Sequence, residues 1–319
     1  MSPLPRAGRD YPRTVLEFEQ FFPDEIACQQ YLLKLRWPDG FLCPRCQQQA
    51  VAWQRQRGPY VCSACRAEVP LTAGTIFHRS RIPLRTWFQI VWEMTSTKHG
   101  TTALDIQRTL GLGSYRTAWR VAHKLRAAMV RPDRELLSGT VEADETYVGG
   151  EEAGLTGRET ISKAIVAIAV EMKRKHLGRV RLRHVPDVSS DSLIPFLEDS
   201  VTTGSRIHTD GWHAYRQLPK AGFRHKITVL SAQEEPAHIA MPGVHRVASL
   251  LKRWLLGIEQ GGIAPEHLQA YLDEFTFRFN RRSSRARGLL FHRLLEQAVR
   301  TTPLPENQIV KGTGRGPKG

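Results

Sequence analysis

Two short cysteine pairs, Cys43-Pro44-Arg45-Cys46 and Cys62-Ser63-Ala64-Cys65, stand about fifteen residues apart. Each C-x-x-C puts two thiolates on one tight turn, and two such turns facing each other complete a tetrahedron around one zinc ion. The stretch between them suits a zinc ribbon, with residues 51–55 and 58–61 as the strands of a hairpin. Four thiolates leave no position for water, so the zinc is expected to be structural. Two disulfides are the competing pairing. No secretory signal opens the chain and disulfides are rare in the cytosol, which favours zinc and a cytoplasmic protein. Neither pair has the βαβ setting of a redox C-x-x-C. Cys28 lies in an apolar helical stretch and reads as a buried small hydrophobe.

Asp144 and Asp210 form a second candidate constellation. Asp144 lies in Val141-Glu142-Ala143-Asp144-Glu145-Thr146-Tyr147, a strand whose alternation puts Glu142 and Asp144 on one face and Ala143 and Glu145 on the other. Asp210 ends the short strand Ile207-His208-Thr209. If the two strands are neighbours, the carboxylates converge. They then repel unless a hard cation, Mg²⁺ or Mn²⁺, neutralises them. A pair of such ions clamps the attacking and leaving oxygens of an in-line phosphoryl transfer. A lone aspartate is more often a cap or a surface residue, so the argument rests on where the fold order puts these two. Trp212 and Tyr215 flank Asp210 and read mainly as packing residues, with stacking on an unpaired base as the alternative. His208, assigned to the face opposite Asp210, reads as structural.

The elements that must position these residues follow from periodicity. The chain has 319 residues, enough for two or three domains, and 41% hydrophobic content supports a core. No run of eighteen apolar residues suggests a membrane span. The net charge of +15 points to a polyanionic partner, most simply nucleic acid. Residues 1–13, rich in Pro and Arg, are expected to be disordered. Residues 14–80 read as a helical lead-in, with Phe21, Phe22, Ile26, Tyr31 and Leu32 as its apolar set, followed by the ribbon. Residues 81–135 read as helical. Within them, residues 101–110 and 115–130 flank Gly111-Leu112-Gly113, with Ser114 as N-cap of the second helix. That helix carries Arg116, Arg120, His123, Lys124 and Arg126. A basic helix after a glycine turn suits a helix-turn-helix reading DNA; the plainer alternative is a helical hairpin with a solvated basic face.

From residue 138 to 300 the pattern changes. Residues 140–147, 161–172 and 180–188 read as consecutive strands, the middle one almost wholly apolar. A helix over 191–201, capped by Ser190 or Asp191, a strand over 206–209 and another over 226–230 come next. Helices over 244–256, 265–281 and 287–299 close the region. This α/β (α+β) order matches a ribonuclease-H-like fold. Residues 301–319, a basic tail with Pro303 and Pro305, are expected to be disordered.

Residues 142–150 with Thr209–Tyr215 (TDGWHAY), Ser249–Trp254 (SLLKRW) and Tyr271–Arg281 (YLDEFTFRFNR) resemble the DDE transposases of bacterial insertion sequences. The similar branch has a zinc ribbon ahead of an integrase-like catalytic domain, and the resemblance covers roughly residues 15–300. It implies that Asp144 and Asp210 are the first two catalytic metal ligands. It also implies a third ligand, usually Glu, about 35 residues beyond the second Asp, with a Lys seven residues further. Those positions hold His245 and Lys252. The branch admits Asn or His at the third position, and an imidazole shifts the preference from Mg²⁺ toward Mn²⁺. Glu234 or Glu235 is the alternative third ligand, and a helix N-terminal residue bonding backbone is the plainer reading of His245. Lys252 and Arg253 suit contact with DNA phosphates; the alternative is a solvated helix face.

These readings describe a DNA transposase. It would bind insertion-sequence ends and target DNA as double strands, as a homo-oligomer on DNA and away from membranes. It would use structural zinc and catalytic Mg²⁺ or Mn²⁺ for strand cleavage and transfer. The alternatives are a sequence-specific DNA-binding regulator with a degenerate catalytic domain, and a nuclease of the same fold.

Overall fold

The computed structural model describes residues 4–54, 58–149, 163–174, 176–228, 240–258 and 262–312. The chain forms two compact units. One is Met1–Arg131 with Ser284–Val310, the other Pro132–Ser283 with Lys311–Gly319.

The first unit opens with α1 (Val15–Phe21) and α2 (Glu25–Arg36). The single lead-in helix expected from sequence is therefore two. Pro23 disfavours helical backbone in Phe22 before it, and Asp24 starts the second helix by accepting from Ala27 N at 2.8 Å. The break shifts the helical phase. Phe18, Phe22, Cys28 and Leu32 are buried, whereas Ile26 is exposed. Burial pushes the Cys28 thiol up to about 12, as suits a small hydrophobe. Next come β1 (Ala52–Gln54), β2 (Tyr60–Cys62) and β3 (Glu68–Val69), an antiparallel three-stranded sheet. They are followed by α3 (Leu84–Ser96), α4 (Ala103–Thr109) and α5 (Tyr115–Ala128). A capping box between Thr102 and Asp105 starts α4, Gly111 takes φ +62 in the turn, and Ser114 caps α5 by accepting from Thr117 N.

The second unit is a five-stranded sheet, ordered β6-β5-β4-β7-β8. Its strands are β4 (Thr140–Val148), β5 (Ala164–Lys173), β6 (His176–Val185), β7 (Arg206–Thr209) and β8 (Arg224–Ile227). β5 runs antiparallel to both β4 and β6, while β7 runs parallel to β4 and β8 parallel to β7. This is the ribonuclease-H-like arrangement. α6 (Ser190–Glu198) lies between β6 and β7 in the chain; α7 (Pro242–Ile258) and α8 (Pro265–Phe279) follow β8. The apolar strand β5 feeds two cores. Val166, Ile168 and Val170 join α7 and α8, whereas Ala167 and Ala169 join α6 on the other face. The N-cap of α6 is Ser189, one residue earlier than expected. Asp187 Oδ1 sets that turn by accepting from Ser189 N, the Ser189 hydroxyl and the Ser192 hydroxyl.

The chain then returns to the first unit. α9 (Arg287–Ala298) packs with α3, and Phe291 sits among Phe18, Phe22, Phe88 and Trp92 at ring separations of 5.6 to 5.8 Å. The boundary expected near 300 therefore falls near 284, because the apolar face of α9 completes the aromatic core of the first unit. Residues 4–13 are likewise tied down. Tyr11 is buried, and a Cβ at Gly288 of α9 would lie 1.6 Å from the Pro12 carbonyl. In the expected tail, α10 (Glu306–Val310) buries Ile309; residues 313–319 lie outside those described. Among the described residues no helix is long and apolar enough to cross a membrane.

Candidate functional site

The four ribbon cysteines converge as their spacing predicts. Their sulfurs lie within 4.8 Å of one another, with Cys43–Cys65 at 3.7 Å and Cys46–Cys62 at 3.9 Å. A zinc tetrahedron with sulfur at about 2.3 Å has edges near 3.8 Å, whereas a disulfide needs about 2.05 Å. The donor set fits zinc, and all five cysteines are thiols. The two turns are built alike. Gln47 N donates to Cys43 O and Arg66 N to Cys62 O, and both Gln47 and Arg66 adopt positive φ, at 58 and 57. The backbone N–H of Cys46 holds the Cys43 thiol down at about 6, against the opposing effect of burial and with help from Arg45 N–H. The Cys46 thiol, despite a hydrogen bond from Gln48 N–H, is pushed the other way, up to about 11, by burial and by the thiols of Cys43, Cys65 and Cys62 beside it, so one negative charge is shared within the quartet.

The carboxylates are positioned by strand register. In the parallel pairing Thr140 faces Arg206, Val141 faces Ile207 and Glu142 faces His208. The pairing ends there; Asp144 lies two residues beyond Glu142 on β4, and Asp210 two residues beyond His208, just past the end of β7. Asp144 Oδ1 accepts from Glu145 N at 2.8 Å, and Asp210 Oδ1 from Trp212 N at 2.9 Å. Tyr215 is buried and donates its hydroxyl to Glu145 Oε2 at 3.1 Å. Its phenol is raised well above its ordinary value, first by burial, then by the charges of Glu145, Asp144 and Asp210. Three carboxylates thus bear on one buried ring, and the packing role read for Tyr215 acquires a polar component. Trp212 donates to Val188 O at 2.9 Å and packs on the α6-side core. His208 bonds Thr228 across to β8 at 2.7 Å, a structural role as expected. Its face differs from the expectation: it pairs with Glu142 in register, so it shares the side of Glu142 and Asp144.

His245 lies in the first turn of α7, half-buried, and Lys252 and Arg253 are exposed two turns on. The core face of this helix is Val244, Val247, Leu251, Leu255 and Ile258, and His245 sits beside that stripe. Sequence reasoning did not anticipate what fixes the start of α7. Glu142 Oε2 accepts from Gly243 N at 2.7 Å and from Val244 N at 3.0 Å. Alternation could place Glu142 beside Asp144, but nothing local in the sequence points to the helix. The cysteine quartet is the one group of three or more His, Cys, Asp or Glu ligand atoms within 4.8 Å of one another among the described residues. Asp144, Asp210 and His245 do not close to that distance. The alternative ligands Glu234 and Glu235 lie outside the described residues.

On α5 the basic residues divide into two sets. His123 and Arg126 are buried in the first unit, because the period of the helix turns them inward with Ala122 and Leu125. They are not surface contacts, which leaves Arg116, Arg120 and Lys124 as the candidate DNA contacts of this helix. Lys124 is half-buried, and burial lowers its ammonium pKa. Arg116 pairs with Glu306 Oε1 at 2.5 Å, and Arg120 pairs with Glu306 Oε2. Burial raises the Glu306 carboxyl, but the hydrogen bonds from Arg116 and Arg120 hold it below the usual carboxylate range.

Comparison with known proteins places these features together. Residues 136–280 match the family model of the ISXO2-like transposase domain, and residues 23–68 match that of the transposase zinc-ribbon domain. The chain is 28% identical over 283 residues to a protein of the transposable element ISH50 from Halobacterium salinarum, covering 81% of this chain and 91% of that one. It is 31% identical over 96 residues to a transposase-like protein of Haemophilus influenzae, covering 30% of this chain and 76% of that one. With a four-thiolate ribbon and a ribonuclease-H-like sheet in the matching segments, the chain belongs to the family of transposases that join a zinc ribbon to an ISXO2-like transposase domain.

Proposed function

We propose that this transposase binds the ends of an insertion sequence and catalyses metal-dependent strand cleavage followed by strand transfer. The observation that supports the reading is the β4–β7 register, in which Glu142 pairs with His208 two residues before Asp144 and Asp210 respectively. Two carboxylates on adjacent strands are hard oxygen donors suited to Mg²⁺ or Mn²⁺, and His245 on α7 is the proposed third ligand. When bound, the metal would neutralise charge developing on the phosphoryl oxygens. Lys252 and Arg253, exposed on the same helix, would hold the scissile strand through its phosphates. Arg116, Arg120 and Lys124 of α5 would contact the element ends, Arg116 and Arg120 after release from Glu306.

Two phosphoryl transfers suffice. In the first, a water oxygen bonds to phosphorus as the bond to the element's 3′ oxygen breaks, leaving a 3′-hydroxyl and a flanking 5′-phosphate. In the second, that hydroxyl attacks a target phosphodiester and the target's own 3′ oxygen leaves with a proton. One P–O bond forms for each that breaks, so no nucleotide cofactor is needed. The test is incubation of the protein with labelled end DNA and a target plasmid in Mn²⁺. Joined product supports the reading. Cleaved ends that never join indicate the nuclease. The imidazole at position 245 favours a second reading, a DNA-binding regulator, which predicts binding to ends without either product.

A further inference from the structure

We infer that Glu142 is the positioning residue of the third-ligand helix: its carboxylate grips the first turn of α7 and sets where His245 and Lys252 stand relative to Asp144. The inference rests on the proposed ligand roles of Asp144, Asp210 and His245. β4 is an inner strand, bonded on one side to β5 over its whole length and on the other to β7. Glu142 and Asp144 point to the same face, about 7 Å apart along the strand. The Glu142 side chain is buried. A single oxygen, Oε2, accepts from both Gly243 N at 2.7 Å and Val244 N at 3.0 Å, and His245 is the next residue. First-turn amides have no partner within their own helix, and a carboxylate there also meets the positive end of the helix dipole.

Close packing explains the glycine that precedes this turn. A Cβ at Gly243 would lie 2.7 Å from Glu142 Oε2 and 2.7 Å from Met172 Sδ. A side chain at 243 would therefore have to displace the Glu142 carboxylate or the Met172 thioether, and glycine leaves the Glu142 oxygen in place against the amides. Three of the proposed functional positions are thereby referred to one rigid strand. Asp144 is on it, and His245 and Lys252 hang from it through two hydrogen bonds. Residues that orient ligands in this way typically change metal affinity 10–100-fold when removed.

The test uses the zinc-loaded full chain with Glu142→Gln, Glu142→Ala and Gly243→Ala. Two readouts apply: amide hydrogen exchange in the first turn of α7, and titration with Mn²⁺ alone. Glutamine keeps an oxygen at the accepting position, so Glu142→Gln should stay within about threefold of the parent in both. Glu142→Ala should expose the Gly243 and Val244 amides and weaken Mn²⁺ binding about 10–100-fold. Should Glu142→Ala fail to fold, Gly243→Ala, which keeps the carboxylate but displaces its oxygen from the first-turn amides, should show the same two losses, and its matching the parent in both would overturn the inference. Equal loss in Glu142→Gln and Glu142→Ala would overturn the inference, because charge rather than an accepting oxygen would then matter and Glu142 would itself be a ligand. Unchanged exchange and affinity in Glu142→Ala would also overturn it. Asp144→Asn separates this from the underlying reading: if it too leaves Mn²⁺ affinity unchanged, the ligand assignment fails, whereas its loss with Glu142→Ala unaffected rejects the positioning role alone.

Discussion

Glu142 on β4 pairs with His208 on β7, and two residues beyond that last pair stand Asp144 and Asp210, the carboxylates proposed as metal ligands. Like charges side by side on a sheet repel. A cation bound there, as proposed above, would relieve that repulsion, and the consequences can be measured.

Purified protein should hold about one zinc per chain. Cys43→Ser or Cys62→Ser should release it and unfold the ribbon, because zinc binding supplies folding free energy in small sites of this kind. The second unit, whose cores contain none of these cysteines, should keep its cooperative unfolding transition. Metal analysis and thermal melts provide the check. Absence of zinc together with two disulfides by mass spectrometry would contradict the site.

Glu306 occupies the same guanidinium groups that phosphate would take. Glu306→Gln should therefore tighten binding to end DNA by about two- to fivefold, the range set by exposed ion pairs. Arg116→Ala and Arg120→Ala should weaken preference for the ends more than binding to random DNA, with a shallower salt dependence. Fluorescence anisotropy across a salt series reads both. Unchanged affinity in Glu306→Gln would mean that Arg116 and Arg120 do not meet DNA.

Acid should weaken the first unit through Glu296. Burial raises this carboxyl, but His292 Nε2 at 3.5 Å and Arg293 Nη1 at 2.6 Å outweigh it and hold it at about 2. The folded value is below the unfolded value of about 4.3, so its stabilisation is fully present above that pH and is lost as pH falls toward 2. Glu296→Gln should lower the unfolding free energy by about 1–2 kcal/mol at pH 7 and by little near pH 2.5. Urea unfolding at several pH values checks this; a difference constant from pH 2.5 to 7 contradicts it.

With imidazole as the third ligand, Mn²⁺ should support reaction better than Mg²⁺. His245→Glu should move the preference toward Mg²⁺, and His245→Ala should lose most activity with its melting temperature little changed. Normal rates in His245→Ala, with Glu234→Gln or Glu235→Gln inactive, would reassign the third position.

Local chemistry made several of these features legible. The cysteine spacing, the Ser114 cap and the unbroken apolar run of β5 each fix their element within a few residues, because the cause is local. The β-α order then implied the sheet, in which β4 and β7 are neighbours. Long-range packing was not legible. Nothing in the pattern of α9 says that Phe291 joins Phe18 and Phe22 rather than the sheet. Helical periodicity puts Arg126 on the inward side of α5, but its charge argued for the surface, and the structure buries it. Glu142 looked like an acid beside an acid until the amides of Gly243 and Val244 were seen against it.

The central claim is that Asp144 and Asp210 form one reaction centre. It is tested most directly by strand cleavage and joining of end DNA by Asp144→Asn and Asp210→Asn, each beside the parent protein in Mn²⁺. The account predicts that both variants bind end DNA with affinity within about threefold of the parent and that each loses at least 100-fold in cleavage and joining, since each removes charge from the same site. Cleavage at the parental rate by either variant would contradict it.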